Sequence, residues 1–542
     1  MGTDDEADSA GYGSSMSTTE LPRLTPHVTW ELLRDLESRA DVGVDDHELI
    51  EVDSPFTLDV IGRIPQATAE DVAAAVERAR QTQPAWAALG VRRRARILLQ
   101  FHDLLLKEVD TVVDIIQLEG GKVRAGAWEE VVDVAGTARY YANMAPRLTR
   151  RNRRQGAMPL FTKTHEYRHP KGVCGFISPW NFPFNLSIGD ALAALVAGNS
   201  VVLKPDEKTP FSLLAAVRLL DRAGVPDGVI QVVTGLGEIC GPALIDAVDY
   251  VMFTGSSAVG SKVAEQAGRR LIGASMELGG KNAAIVLADA DLDRTIPELA
   301  RATFGHAGQM CVHMERIYVE RPILDEFTRR FVEHTEHLEV SAGFEFGPLV
   351  SSLITRQHLA AVEFHVEDAL AKGAILLTGG KPRPDVGPLF YSPTILTEVD
   401  QTMSLCRGET FGPVVVIHPV SSADEAVRLS NDSDLGLSFS VWSADTRQAE
   451  AIAIRLHAGS VAINDGYVAT WASHDAPMGG FKQSGLGRRH GSEGLLKFTE
   501  PQTVAVQRLI PAYAPAFGLS YETYRRLVER LVALFRRLPF YK

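Results

Sequence analysis

Residues 250–267 read YVMFTGSSAVGSKVAEQA: aromatic and β-branched residues, a glycine turn, then apolar residues at helical spacing. That order describes a strand, a turn and a helix whose first backbone N–H groups point at whatever lies beyond the strand. Gly255 and Gly260 leave room for a phosphate to approach, although the stretch is not GxGxxG. The pattern repeats to either side. VCGFISP, SVVLKP, IQVVTG and AAIVLAD are β-rich runs ending in Gly, Pro or Asp, and from about Glu70 they alternate with helical patterns such as AEDVAAAVERARQTQPAWAAL and RRRARILLQFHDLLLKEVDTVVDIIQLEG. Such alternation predicts a parallel sheet covered by helices. After Cys311 a second series (RIYVE, AILLTGG, YSPTILTEV, VVVIHPV, FSVWSA and SVAIND) alternates with helices such as LDEFTRRFVEHTEHL. The fold class is therefore α/β, with a second α/β domain.

The chain has 542 residues, enough for about three or four domain-sized units. With 45% hydrophobic, 23% charged and 7% aromatic residues it reads as soluble and globular, and its net charge of −13 disfavours nucleic acid as a partner. Cys174, Cys240, Cys311 and Cys406 have no CxxC spacing, which argues against a structural zinc site or a disulfide framework and points to a cytoplasmic location. No HExxH or clustered His suggests a metal. Residues 1–22, acidic and rich in Ser, Gly and Thr without an apolar core, read as a disordered tail rather than a signal peptide.

Two further segments stand out. RLTRRNRRQGAMPLFTKTHEYRHPKG has a turn at QGAMP between alternating residues, which predicts an extended hairpin over 151–169; a solvated basic loop is the plainer reading. Across 521–538, Tyr521, Tyr524, Leu527, Val528, Leu531, Leu534 and Phe535 share one helical face and arginines the other. A basic amphipathic helix of this kind either makes peripheral contact with an anionic membrane or docks on its own protein or a sister subunit.

Chemistry concentrates in a few short stretches. HAGQMCVHMERIYV places Cys311 after Gly305, Gly308 and Gln309, which suits an irregular loop feeding a helix, where a thiol has a lowered pKa. SMELGGKN carries Glu277 beside two glycines in an apolar setting, where a carboxylate's pKa rises toward the working pH and it can act as a base. A capping or salt-bridged surface glutamate is the alternative. SPWNFPFN holds Asn181 between Trp180 and Phe182 with Pro179 and Pro183 alongside, so its amide can donate to a developing oxyanion; alone, it would be a turn asparagine. In VVLKPDEKTP, Lys204 and Glu207 end a strand, where nucleotides bind in open parallel sheets. A carboxylate there accepts from both ribose hydroxyls and repels a 2′-phosphate, so Glu207 favours NAD over NADP. GETFGPVV offers Glu409 and Phe411 as a ribose acceptor and an aromatic plate, or simply a tight turn.

In this order, PWNFPF, KPDEKTP, FTGSSAVG, MELGGKN, GQMC and ETFGP, followed by APMGGFKQSGLGRRHG, resemble the aldehyde dehydrogenase superfamily from about residue 55 to 505. FTGSSAVGSKVAEQAGRRLIG, CVHMERIYVE and GLGRRHGSEGLLKFTEPQTV are most similar to actinobacterial succinic semialdehyde dehydrogenases. The resemblance implies a Rossmann-type cofactor domain over 23–148 and 170–279 and a catalytic domain over 280–480. It also implies oligomerisation elements at 149–169 and 490–508, an amphipathic extension at 509–542, and a homodimer or homotetramer. It implies that the Cys311 thiolate attacks an aldehyde, that Asn181 and the Cys311 N–H hold the oxyanion, and that Glu277 activates the water that hydrolyses a thioester. Coenzyme-A-acylating relatives lack that glutamate. Lys204 and Glu207 would meet the adenosine ribose, Gly255, Ser256 and Gly260 the pyrophosphate, and Glu409 and Phe411 the nicotinamide half, with Trp180 also at the cofactor.

There are departures. His306 stands where the family commonly has asparagine, and Gly189 and Gly305 stand where succinic semialdehyde enzymes hold the substrate carboxylate with arginines. Arg139, His313 and Arg316 are the substitute cations considered. The expected reaction is oxidation of succinic semialdehyde to succinate with NAD or NADP. A broad-range or lipid-derived aldehyde dehydrogenase and a non-catalytic ligand-binding relative are the alternatives.

Overall fold

The stretch 250–267 forms the strand Tyr250–Thr254 and the helix Ser257–Arg269, with the Ser256 hydroxyl accepting the Val259 N–H at 3.3 Å as an N-cap. This is seen in a computed structural model that describes residues 24–42, 47–157, 162–508, 515 and 518–537. The tail call at 1–22 lies outside those residues, as do 509–514, 516–517 and 538–542 of the C-terminal extension.

Around Tyr250–Thr254 five strands run parallel in the order Ile230–Val232, Ser200–Lys204, Val173–Ile177, Tyr250–Thr254, Gly273–Glu277, and Gly485–Leu486 adds antiparallel to the last. Taken along the chain, the order is third, second, first, fourth, fifth. The winding thus reverses between Val173–Ile177 and Tyr250–Thr254, and the loops leaving those two strands diverge to open a crevice. The strands read as unbroken apolar runs because helices cover both faces; every residue of Ser200–Lys204 and Tyr250–Thr254 is buried. The helix Asn185–Ala197 is buried along its whole length. Its first N–H groups, on Phe184 and Asn185, donate to the buried Glu130 carboxylate at 3.1 and 3.0 Å, and Lys122 pairs with that carboxylate. This fixes the loop just before the helix, which carries Asn181.

The second sheet has seven strands in the order Ile375–Thr378, Thr394–Thr397, Val414–Val420, Met314–Glu320, Asn282–Val286, Ser438–Trp442, Ser460–Ile463, parallel except for the first pair. The α/β expectation with two sheet-based units is met. The helical run from Arg92 divides at Glu108 into Val91–Lys107 and Val109–Gly120, and the Glu108 carboxylate pairs with Arg218 at 3.0 Å and with Arg222.

Asn152–Arg154 pairs antiparallel with Thr162–Pro170, which in turn pairs with Thr499–Gln507. Within 490–508 the helix Gly491–Leu496 packs on Asn185–Ala197 and Arg124–Leu148, and Leu495 and Phe498 join the core of the first unit. Thr499–Gln507 is exposed from Glu500 onward. The extension contains the helix Tyr521–Phe535, with Tyr524 buried and Tyr521, Leu527, Val532 and Leu534 exposed. Among the described residues no helix is long and apolar enough to cross a membrane.

Candidate active site

A cavity of about 220 Å³ opens at the reversal point of the first sheet and is bounded by the second. Trp180 and Asn181 enter it from the loop after Val173–Ile177, Gly255 and Ser256 from the turn after Tyr250–Thr254, and Glu277 from the last position of Gly273–Glu277. Cys311, Glu409 and Phe411 come from the second unit. These are eight of the eleven residues singled out from sequence.

The other three lie elsewhere. Gly260 sits one turn inside its helix and faces Leu278, whose side chain would be 2.5 Å from an added Cβ, so this glycine lets the helix approach the sheet. Lys204 is buried at the end of Ser200–Lys204 with its ammonium 3.3 Å from Glu207. Glu207 and Lys208 border a separate cavity of about 450 Å³. Burial would raise the Glu207 carboxyl, but Lys204 and Lys208 outweigh it and hold it down at about 2.

The Asn181 side chain is buried and its Nδ2 donates to the Gln309 carbonyl at 3.0 Å, which leaves the second N–H of the amide for a ligand. Gln309 is itself anchored: Nε2 donates to the Ser352 carbonyl at 3.0 Å and Oε1 accepts the Ile354 N–H at 2.9 Å. Just before Cys311 the chain makes a left-handed turn, with φ of +50° at His306, +51° at Ala307 and +71° at Gly308. A Cβ on Gly308 would lie 2.0 Å from the Gly412 carbonyl oxygen, so no other residue fits there without backbone movement.

The expectation that Cys311 feeds a helix is corrected. Residues Met314–Glu320 form a central strand of the second sheet, because their backbone groups pair with a parallel strand on each edge and their side chains are buried on both faces. The thiol gains no helix terminus. Burial raises it to about 12, and the Glu409 and Glu277 carboxylates push the same way. It remains partly exposed, toward the cavity.

The Glu277 carboxyl is raised to about 7 by burial, against the pull of Arg489 and Lys497, and its Oε1 has no hydrogen-bond partner. Burial and the Glu315 charge lift Glu409 to about 8, while the Gly280 N–H donates to its Oε1 at 2.9 Å. The Phe411 ring meets Trp180 edge-on at 5.7 Å, and the Phe411 carbonyl accepts from His358 Nε2 at 2.8 Å.

Several contributors escaped the sequence reading. Glu315 receives the Thr410 and Phe411 N–H groups at 3.0 and 3.2 Å and pairs with Lys281, which anchors the Glu409 loop. Arg489 and Asp190 form a buried pair at 3.3 Å behind Glu277. Lys281 lies within MELGGKN, but nothing in a linear sequence marks its partner. None of the three substitute cations lines the cavity: Arg139 borders a separate surface hollow, His313 sits 3.6 Å from Glu315, and Arg316 donates to the Lys281 and Ser430 carbonyls.

A soft nucleophile, a carboxyl poised near neutrality and an amide donor around one cavity are the parts needed to form and hydrolyse an acyl-enzyme. The crevice also fits a dinucleotide: a helix N-terminus with a glycine before it, a carboxylate, and two aromatic rings converge there.

The sequence model described as the aldehyde dehydrogenase family matches residues 43–504. A Mycolicibacterium smegmatis protein provisionally named succinate-semialdehyde dehydrogenase (NADP(+)) is 47% identical over 488 residues, 90% of this chain and 94% of that one. Among solved structures, an NADP dependent enzyme of E. coli superposes with a TM-score of 0.81 at 34% identity, over 85% of this chain and 95% of its own. Betaine aldehyde dehydrogenase of Staphylococcus aureus, in complex with NAD+, gives 0.85 at 28% identity, over 91% and 98%. On the extent of these matches, the chain belongs to the aldehyde dehydrogenase family.

Proposed function

We propose that this enzyme oxidises succinic semialdehyde to succinate with NAD or NADP, using Cys311 as nucleophile, Asn181 as oxyanion donor and Glu277 as base. The convergence of those three side chains on one cavity carries the reading. The provisional name of the Mycolicibacterium relative supports the substrate.

Cys311 gives up its proton as Sγ bonds to the aldehyde carbon, and Glu277, at about 7, is the nearby carboxyl able to accept it at neutral pH. The second N–H of Asn181 and the Cys311 backbone N–H stabilise the oxygen as it becomes an oxyanion. The bound dinucleotide supplies the hydride acceptor. Oxidation leaves a thioester on Cys311; Glu277, its first proton passed on to solvent, takes a proton from the attacking water and returns it to the departing sulfur, releasing the acid and the thiol. Trp180, Glu409 and Phe411 would hold the nicotinamide half, Gly255 and Ser256 the pyrophosphate at the helix mouth, and Lys204 and Glu207 the adenosine ribose. The ionised Glu207 disfavours a 2′-phosphate, while Lys204 and Lys208 beside it offset that charge.

The exposed Thr499–Gln507 strand and its hairpin partner supply a surface for a homodimer or homotetramer, in a cytoplasmic enzyme. The exposed apolar side chains of Tyr521–Phe535 favour a second reading, a lipid-derived aldehyde delivered at a membrane surface.

A panel of succinic semialdehyde and hexanal, each with NAD and NADP, tests the proposal. A higher kcat/KM for succinic semialdehyde, lost in Cys311→Ala, is expected. Preference for hexanal would replace the substrate, and absence of aldehyde-dependent NADH or NADPH formation would make the chain a ligand-binding relative.

A further inference from the structure

A second cavity, about 40 Å³, is lined by Phe182 and Met310, the chain neighbours of Asn181 and Cys311, together with Lys122, Glu129, Arg301 and Tyr467. Its wall is thus built in part from residues next in the chain to two candidate catalytic side chains, and two cationic side chains line it. Lys122 is committed: its ammonium is buried, pairs with Glu130 and lies 3.4 Å from the centre of the Phe182 ring. Arg301 differs. It stands on the helix Leu292–Phe304, one turn before Gly305, with its side chain 32% exposed.

Its guanidinium lies 5.5 Å from the Tyr467 ring, and Nη1 donates to Glu129 Oε1. The Tyr467 hydroxyl donates to the other oxygen of the same carboxylate, Oε2, at 3.1 Å. Glu129 therefore displays how this pocket takes a carboxylate, between a guanidinium and a phenol. A guanidinium has five N–H groups. Beyond the bond to Glu129, the nearest charged contact here is a long one from Nε to Glu298 at 3.8 Å. Arginine's planar fork suits a second carboxylate better than an ammonium does.

Where the resemblance places arginines, Gly189 and Gly305 bring no charge. Arg489 comes within 3.6 Å of the position a Cβ on Gly189 would take, but it is held by Asp190 and Asn185 and lines neither cavity.

We propose that Arg301 receives the distal carboxylate of the substrate, with Glu129 occupying that place in its absence. The inference rests on the reading of the substrate as a semialdehyde that bears a carboxylate. It makes Arg301 a specificity-determining residue that acts on binding and not on the chemical step.

Steady-state kinetics with succinic semialdehyde and with butanal, which has the same carbon count and no charge, test it in the full-length enzyme. Arg301→Met should raise KM for succinic semialdehyde roughly 10- to 100-fold with kcat within about twofold, and should change the KM for butanal by no more than about twofold. Glu129→Gln, which removes the competing carboxylate, should lower KM for succinic semialdehyde. An unchanged KM in Arg301→Met, while the unsubstituted enzyme prefers succinic semialdehyde, overturns the role of Arg301 and leaves the substrate standing. Equal losses with both aldehydes in that variant, or an unaltered KM in Glu129→Gln, also overturn it. If the unsubstituted enzyme shows no preference for the charged aldehyde, the substrate reading falls and takes this inference with it.

Discussion

Lys281, just before the strand Asn282–Val286, forms a buried ion pair with Glu315 on the adjacent parallel strand Met314–Glu320, each four residues beyond a candidate catalytic residue: Lys281 follows Glu277, and Glu315 follows Cys311. Asn282 completes the clamp by donating from Nδ2 to the Cys311 and His313 carbonyls at 2.7 and 2.9 Å. The segments that follow base and nucleophile are thus tied together by this pair and by Asn282, and Glu315 also carries the loop that presents Glu409 and Phe411.

Removing one member of this pair leaves an uncompensated buried charge. Glu315→Ala should destabilise the enzyme by about 3–5 kcal/mol and release the Thr410 and Phe411 N–H groups. Urea unfolding reads the first effect. A raised KM for the dinucleotide reads the second, and unaltered values in both would mean that the loop is held by other contacts.

Glu277→Gln should preserve a first burst of reduced dinucleotide and slow steady turnover by roughly 10²- to 10⁴-fold. Loss of the burst would place the glutamate earlier in the reaction. In the unsubstituted enzyme only the ionised form accepts a proton, so kcat should rise as pH climbs through about 7, and the variant should lack that limb. The sign for stability is opposite. With its pKa raised from 4.5, this carboxyl contributes fully below about 4.5, and the contribution is lost as pH rises through about 7.

Gly308→Ala should be far more damaging than an alanine at an uncrowded left-handed glycine. At Gly224, φ is +96° with nothing within 4 Å of an added Cβ, so the cost there is about 1–2 kcal/mol of backbone strain. At Gly308 the Cβ would meet the Gly412 carbonyl, so strain and a clash add three residues from Cys311. Calorimetric Tm values and burst amplitudes of the two variants compare them, and equal effects would mean that the 305–308 turn relaxes freely.

Periodicity and the ordered short motifs were enough to read two α/β units and to name most of the residues around the cavity, because strand alternation, glycine turns and reactive side chains are local properties of the chain. The surroundings of Cys311 were not legible in this way. The same letters, CVHMERIYV, suit a helix start or a strand, and pairing with Asn282–Val286 on one edge and Val414–Val420 on the other selected the strand. That choice removed a helix N-terminus and left burial beside two carboxylates, which reversed the expected direction of the thiol's pKa. Gly260 drew notice as a phosphate contact, whereas its lack of a side chain serves the close approach to Leu278. Arg301, Glu129 and Tyr467 belong to three distant segments and carry no motif; only packing brings a guanidinium, a carboxylate and a phenol to one cavity. Sequence alone determined the fold class and pointed to the candidate reactive groups, since these depend on near neighbours. Tertiary structure decided their ionisation, their spacing and the candidate for substrate charge, since burial and non-local pairing set all three.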